Sequence, residues 1–222
     1  PITARAHRHA AGALELLTPL AAAGEWTTAV DLHPKAISAW VQLMLAQAQQ
    51  CFYEKAVVDQ MKPGVVAKLA AQVSASFEAA AAALRQKEIK DKLDKWPALL
   101  DAQQQVFSGW AQFHLAKEHE DKFEYGPQVS RLVKAAGLLN EVVTAAKKIA
   151  PPEVHTAHQA ALEQITKAMR TASHANDNAY MERVPPFETL AEVTPKSIVK
   201  AMPISDLHLP PSSSPPPEPS GG

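Results

Sequence analysis

Ile37-Ser38-Ala39-Trp40-Val41-Gln42-Leu43-Met44-Leu45-Ala46 is apolar nearly all round. At about 100° per residue, Ile37, Val41, Met44 and Ala48 form one stripe, and Trp40, Leu43 and Gln47 form a second beside it. A helix with two apolar faces is either wholly buried, or it buries one face and offers the other to a ligand. The pattern leaves both open: a central core helix, or the wall of a groove that takes an amphipathic partner helix through i, i+3, i+4, i+7 anchors.

The surrounding punctuation makes this helix one of a series. Asp31-Leu32-His33-Pro34 precedes it, and Lys62-Pro63-Gly64 ends it near residue 61 and opens the next, expected over about 65–92. Trp96-Pro97 starts a run to about Phe123, and Tyr125-Gly126-Pro127 starts another that stops at Ala150-Pro151-Pro152. A last run covers about 153–178, and an earlier one occupies about 5–17. Val129, Leu132, Val133, Ala136, Leu139 and Val143 recur at three- and four-residue steps, as do Val66, Leu69, Ala70, Val73, Phe77, Ala80 and Leu84. Long helices joined by short links predict antiparallel neighbours, an all-α solenoid-like array.

Composition agrees. The 222 residues include 41 alanines and only 8 glycines, which favours long, closely packed helices over a β-sandwich or a dinucleotide-binding fold. With 22 Lys+Arg against 23 Asp+Glu there is no basic footprint for nucleic acid. The lone Cys51 forms no internal disulfide and suits a reducing compartment. After Val184-Pro185-Pro186 the helical pattern gives way to an extended run expected to lie along the helical body. The stretch Pro210-Pro211-Ser212-Ser213-Ser214-Pro215-Pro216-Pro217-Glu218-Pro219-Ser220-Gly221-Gly222 reads as a disordered, partly polyproline linker. The expected division is a helical domain over 1–205 and a linker over 206–222. The absence of an initial Met within a helical pattern reads as the C-terminal portion of a longer domain.

Motifs for catalysis are missing from the sequence: no GxGxxG, no GxxxxGK[ST], no HExxH. Cys51 reads as a small buried hydrophobe in mid-helix. His155 and His158 share a helix face, and Glu118-His119-Glu120 groups ligand types, but neither has a second pair in register, so surface histidines are expected and no metal or cofactor. Lys87-Glu88-Ile89-Lys90-Asp91-Lys92-Leu93-Asp94-Lys95 alternates in sign and reads as the solvated end of a helix. Lys147-Lys148 complements the dipole of a last helical turn.

Leu43-Met44-Leu45-Ala46-Gln47-Ala48-Gln49, followed by Phe52 and Glu54-Lys55, resembles the signature helix of the Bro-one domain of the ALIX family. Ala10-Ala11-Gly12-Ala13, Val66-Ala67-Lys68-Leu69-Ala70-Ala71-Gln72-Val73, Tyr125-Gly126 with Arg131-Leu132, and Asn176-Asp177 with Tyr180 and Arg183-Val184-Pro185 match further elements in the same order. The form Tyr-Met-x-Arg-Val-Pro-Pro is similar to plant and green-algal members. Ser173-His174-Ala175 and Asn178-Ala179 depart from the family's pattern.

The resemblance implies a tetratricopeptide-like helical domain acting as a cytoplasmic, non-enzymatic adaptor that is recruited to endosomes in multivesicular-body sorting. Its implied partner is the C-terminal amphipathic helix of a Snf-seven-type ESCRT-III subunit, with peripheral membrane association and a monomeric state. The resemblance places two contact residues on Ile37 and Val41; the helical stripe adds Met44. The competing expectation is a helical scaffold, or an arm of a larger protein, in which this segment is simply core.

Overall fold

The protein is described by a computed structural model over residues 2–23, 30–87, 89, 93–146 and 150–203. The domain boundary and linker expected around residues 205–206, and Lys147-Lys148, lie outside the described residues.

Six long helices follow one another: α1 (Ile2–Ala23), α2 (Pro34–Val58), α3 (Pro63–Leu84), α4 (Lys95–Asp121), α5 (Tyr125–Ala146) and α6 (Pro152–Ala175). Pro34, Pro63 and Pro152 each stand at the start of a helix, where the N–H that proline lacks would have had no helical partner. His33 caps α2, its Nδ1 accepting the Lys35 N–H at 3.2 Å. The ends of α2 and α4 are closed without glycine: Gln60 (φ 51°) and Phe123 (φ 60°) take the left-handed conformation that stops a helix.

Each helix packs on the next, α1 on α2 through to α5 on α6, and among the described residues there is no strand. The all-α, tetratricopeptide-like array expected from the sequence is the observed fold. Its larger core joins α2, α3 and α4 through Leu43, Val66, Val73, Phe77, Leu84 and Phe107. A second core joins α4, α5 and α6 through Phe113, Leu132, Leu139 and Ile165, and Trp110 borders both. Ala36, Ala39, Ala46, Ala70, Ala80 and Ala81 are sealed in the larger core, which lets the helix axes approach closely. No described helix is long and apolar enough to cross a membrane.

One local expectation is corrected. The third helix stops at Leu84, not near residue 92; the described charged residues of the following run, Lys87, Asp94 and Lys95, are exposed. Ile89 and Leu93 within it are buried in the larger core, so apolar burial overrides continuation of the helix. Glu88 and Lys90-Asp91-Lys92 lie outside the described residues.

Beyond α6 a π-helical turn (Asn176–Tyr180) ends at Met181, again left-handed (φ 54°). After a 3-10 turn (Phe187–Thr189) the chain continues without helix or strand to residue 203. This strap travels back across the array from α5 to α1, as the polar contacts below show.

Candidate partner interface and the strap beside it

The residues singled out on α2 are largely enclosed. Ile37 is 1% exposed and Val41 6%, while Met44 is half-buried against the larger core. Both apolar stripes of this helix are therefore mostly covered within the chain. In this chain α2 has α1 packed on it as well as α3, so its second apolar face is used within the array.

The open apolar stripe lies on α1. Leu16 is 55% exposed, Leu17 39% and Leu20 58%, and Ala13 is half-buried. Their spacing is i, i+3, i+4 and i+7, one face of a helix, on the far side from the buried Ala4 and Ala11. A sequence reading ending this helix near residue 17 missed the stripe. The spacing of Leu16, Leu17 and Leu20 carried the signal, but leucine on a helix usually means core.

The strap borders α1 and is held by side chains of the helices. Asn176 grips Glu182 at both backbone groups, its Nδ2 donating to the carbonyl (3.0 Å) and its Oδ1 accepting the N–H (3.2 Å). The Glu182 carboxylate accepts the Gly126 N–H of α5 (2.8 Å). Arg131, 3% exposed, donates to the Ala191 carbonyl (2.7 Å), to Gln112 Oε1 (2.7 Å) and to His119 Nε2 (3.1 Å). With Nε2 accepting, His119 carries its proton on Nδ1 and donates to Glu124 (2.6 Å). Gln49, 1% exposed, donates to the Lys196 carbonyl and accepts the Ile198 N–H, both at 3.3 Å. At the far end Arg8 Nε donates to the Lys200 carbonyl (2.8 Å), and the Met202 N–H donates to the Arg8 carbonyl (2.9 Å). Gly12 sits where the strap crosses α1; a Cβ there would collide with the Met202 carbonyl. The last Gln of the Leu-Met-Leu-Ala-Gln-Ala-Gln run is thus a clamp on the strap.

A groove of about 710 Å³ runs between α2, α4 and α6, with Val57, Val58, Trp110 and Val154 among its walls. Tyr53 and His114 meet beside it, hydroxyl to Nε2, at 3.1 Å. Burial, with Lys117 nearby, pulls His114 down to about 4, so near neutral pH its ring is uncharged and Nε2 accepts from Tyr53. His158 is 4% exposed, contrary to a surface position, and burial lowers its pKa too; its Nε2 lies 3.4 Å from Gln103 Nε2. Cys51 is half-buried and burial pushes its thiol up. On α5, Tyr125 stacks on Tyr180 with ring centroids 3.4 Å apart. Among the described residues no group of three His, Cys, Asp or Glu side chains is placed to hold a metal ion.

Comparison with known proteins follows the same outline. The chain is 30% identical to ALG-2 interacting protein X of Dictyostelium discoideum, over 83% of its own length and 23% of that protein. It is 32% identical to vacuolar-sorting protein BRO1 of Arabidopsis thaliana, over 82% of its own length and 21% of that protein. It therefore spans less than a quarter of these relatives. A solved structure of the ALIX BRO1 CHMP4C complex matches with a TM-score of 0.78 and 26% identity, over 90% of this chain and 54% of that one. The BRO1-like domain model matches residues 3–218. By that match, and by a helical array whose signature helix clamps the strap, the chain belongs to the BRO1-like domain family.

Proposed function

We propose that this chain is the partner-binding part of a non-enzymatic, ESCRT-associated adaptor in endosomal sorting, and that it takes the C-terminal amphipathic helix of a Snf-seven-type ESCRT-III subunit. The observation that carries this reading is the exposed stripe of Ala13, Leu16, Leu17 and Leu20 on α1. A partner helix presents apolar residues at the same spacing, and two such stripes bury one another. The relatives named for vacuolar sorting and the ALIX BRO1 complex with CHMP4C support the direction of the proposal. In this reading Ile37 and Val41 act from within α2 by fixing the helix on which α1 rests, and Met44, on the same stripe, is packed against the larger core. The protein works as a cytoplasmic monomer recruited to endosomal membranes.

Titrating a labelled ESCRT-III C-terminal helix peptide tests this. Leu16→Asp and Leu20→Asp should each cost about 2 kcal/mol of binding, the scale of a central anchor, with the thermal melt unchanged. Val41→Asp should instead unfold the protein, because it places a charge in a buried site. Wild-type affinity in Leu20→Asp would remove α1 from the interface. The burial of Ile37 and Val41 favours a second reading, a helical scaffold with no groove of its own; there the wild-type protein fails to bind the peptide while remaining folded.

A further inference from the structure

The strap's hydrogen bonds fall on alternate residues. Lys196 uses its N–H on the Lys68 carbonyl (3.2 Å) and its C=O on Gln49; Ile198 uses its N–H on Gln49; Lys200 uses its C=O on Arg8; Met202 uses its N–H on the Arg8 carbonyl. This period of two belongs to a β-extended chain, in which the N–H and C=O of one residue point to the same edge and neighbours point to opposite edges. The backbone groups of these even-numbered residues point to the helices. Ser197, Val199 and Ala201 turn their backbone groups to the other edge, where no described group bonds to them. That leaves one edge of the segment unbonded among the described residues, while its other edge fixes it in place.

Both ends of this edge are closed. Pro195 and Pro203 have the same parity as Ser197, Val199 and Ala201 and bring no N–H. The edge therefore accepts one short strand and cannot template an open array.

The side chains state what that strand should carry. Lys196, Ile198 and Lys200 share one face of an extended chain. Ile198 is 44% exposed and, with Lys196, lines a hollow of about 270 Å³ whose other walls include Phe52, Val65 and Leu69. No described carboxylate pairs with Lys196, Lys200 or the neighbouring Lys68. An incoming strand is matched on this face by acidic, apolar and acidic residues at alternate positions, because directly opposite side chains are the ones that interact across a strand pair.

We propose that residues 197–201 form a β-augmentation site for an extended peptide of the pattern acidic-x-apolar-x-acidic, added antiparallel to the strap. It is a surface separate from the α1 stripe and does not rest on the ESCRT-III reading. Main-chain bonds to Ser197, Val199 and Ala201 hold the peptide, the hollow at Ile198 receives its apolar residue, and Lys196 and Lys200 select its charges.

The geometry fixes a test on the full chain. The probe is a fluorescent Gly-Ser-Glu-Thr-Val-Thr-Glu-Ser-Gly peptide, read by anisotropy. In the antiparallel register Val lies opposite Ile198 as a non-hydrogen-bonded pair, so the two Thr residues make the main-chain bonds. N-methylation of both Thr should weaken binding at least about tenfold, whereas N-methylation of Val should be tolerated. Val199→Pro, which removes one outer-edge N–H and none of the inner bonds, should weaken it similarly with an unchanged thermal melt. Lys196→Glu with Lys200→Glu should switch preference to the peptide with Lys in place of both Glu. No binding by the folded wild-type protein up to about 1 mM, a weak limit for any specific site, would overturn the proposal. So would equal binding of the Thr-methylated peptide to wild type, a result that needs no variant to fold.

Discussion

His114 shows how one residue ties the fold to pH. It lies in α4, 7% exposed, and pairs with the Tyr53 hydroxyl of α2. Its folded pKa near 4 lies below the ordinary histidine value of 6.5 because burial penalises the charged ring. The unfolded chain therefore takes up a proton before the folded one does. Its contribution is fully present above about pH 6.5 and falls away as pH drops towards 4. Denaturant melts across pH 4–7 should show an acid loss on the order of 3 kcal/mol from this residue. His114→Leu should flatten much of that slope, leaving the smaller part that buried His158 adds in the same direction. An unaltered slope would assign the acid loss to other groups. Nothing in the sequence around His114 announced this, because its hydrogen-bond partner, Tyr53, lies 61 positions away.

At the scale of elements, α2 and the strap determine one another. The helix was legible: Pro34 at its start and a doubly apolar run along it are local facts. Its role was not. Gln49 lies in the run read as the mark of a partner-binding helix, yet its amide holds two backbone groups of the strap, 147 and 149 residues on. Gln49→Leu keeps the bulk and removes both bonds, leaving two strap groups in want of partners. The expected cost is about 1–3 kcal/mol in stability. It should be accompanied by faster amide exchange at Ile198, measured by hydrogen-exchange mass spectrometry. Unchanged exchange there would show that Arg8 and Lys68 hold the strap without help. Periodicity also failed at the end of α3, where Ile89 and Leu93 leave the helical pattern to fill the core.

Across the whole molecule, each helix packs on its sequence neighbours, so the array by itself carries mainly local contacts. The strap adds the long-range ones, touching α5 at Arg131, α3 at Lys68, α2 at Gln49 and α1 at Arg8. Gly12 is the tightest crossing. Gly12→Val would drive a side chain into the Met202 carbonyl, a backbone group with little room to yield. That overpacking should cost about 1–3 kcal/mol, or a Tm lower by roughly 2–10 °C. Limited proteolysis should then cut within residues 190–203 sooner than in wild type. An intact strap at the lower Tm would place the strain within α1 instead.

Local rules sufficed for the number, order and starts of the helices. Proline punctuation, alanine content and three-to-four-residue periodicity act over a turn or two of chain and need no partner. The choice between core and interface could not be made that way. Ile37 and Leu20 are both apolar residues on apolar helical faces, and only the packing of α1 on α2 encloses one and leaves the other open. The same holds for Gln49, Arg131 and Asn176, polar residues whose burial is tolerable only because a distant extended segment presents matching backbone groups. Burial is a property of the assembled array, so the helices could be read from the chain, while their exposed and clamped faces were decided by the tertiary structure.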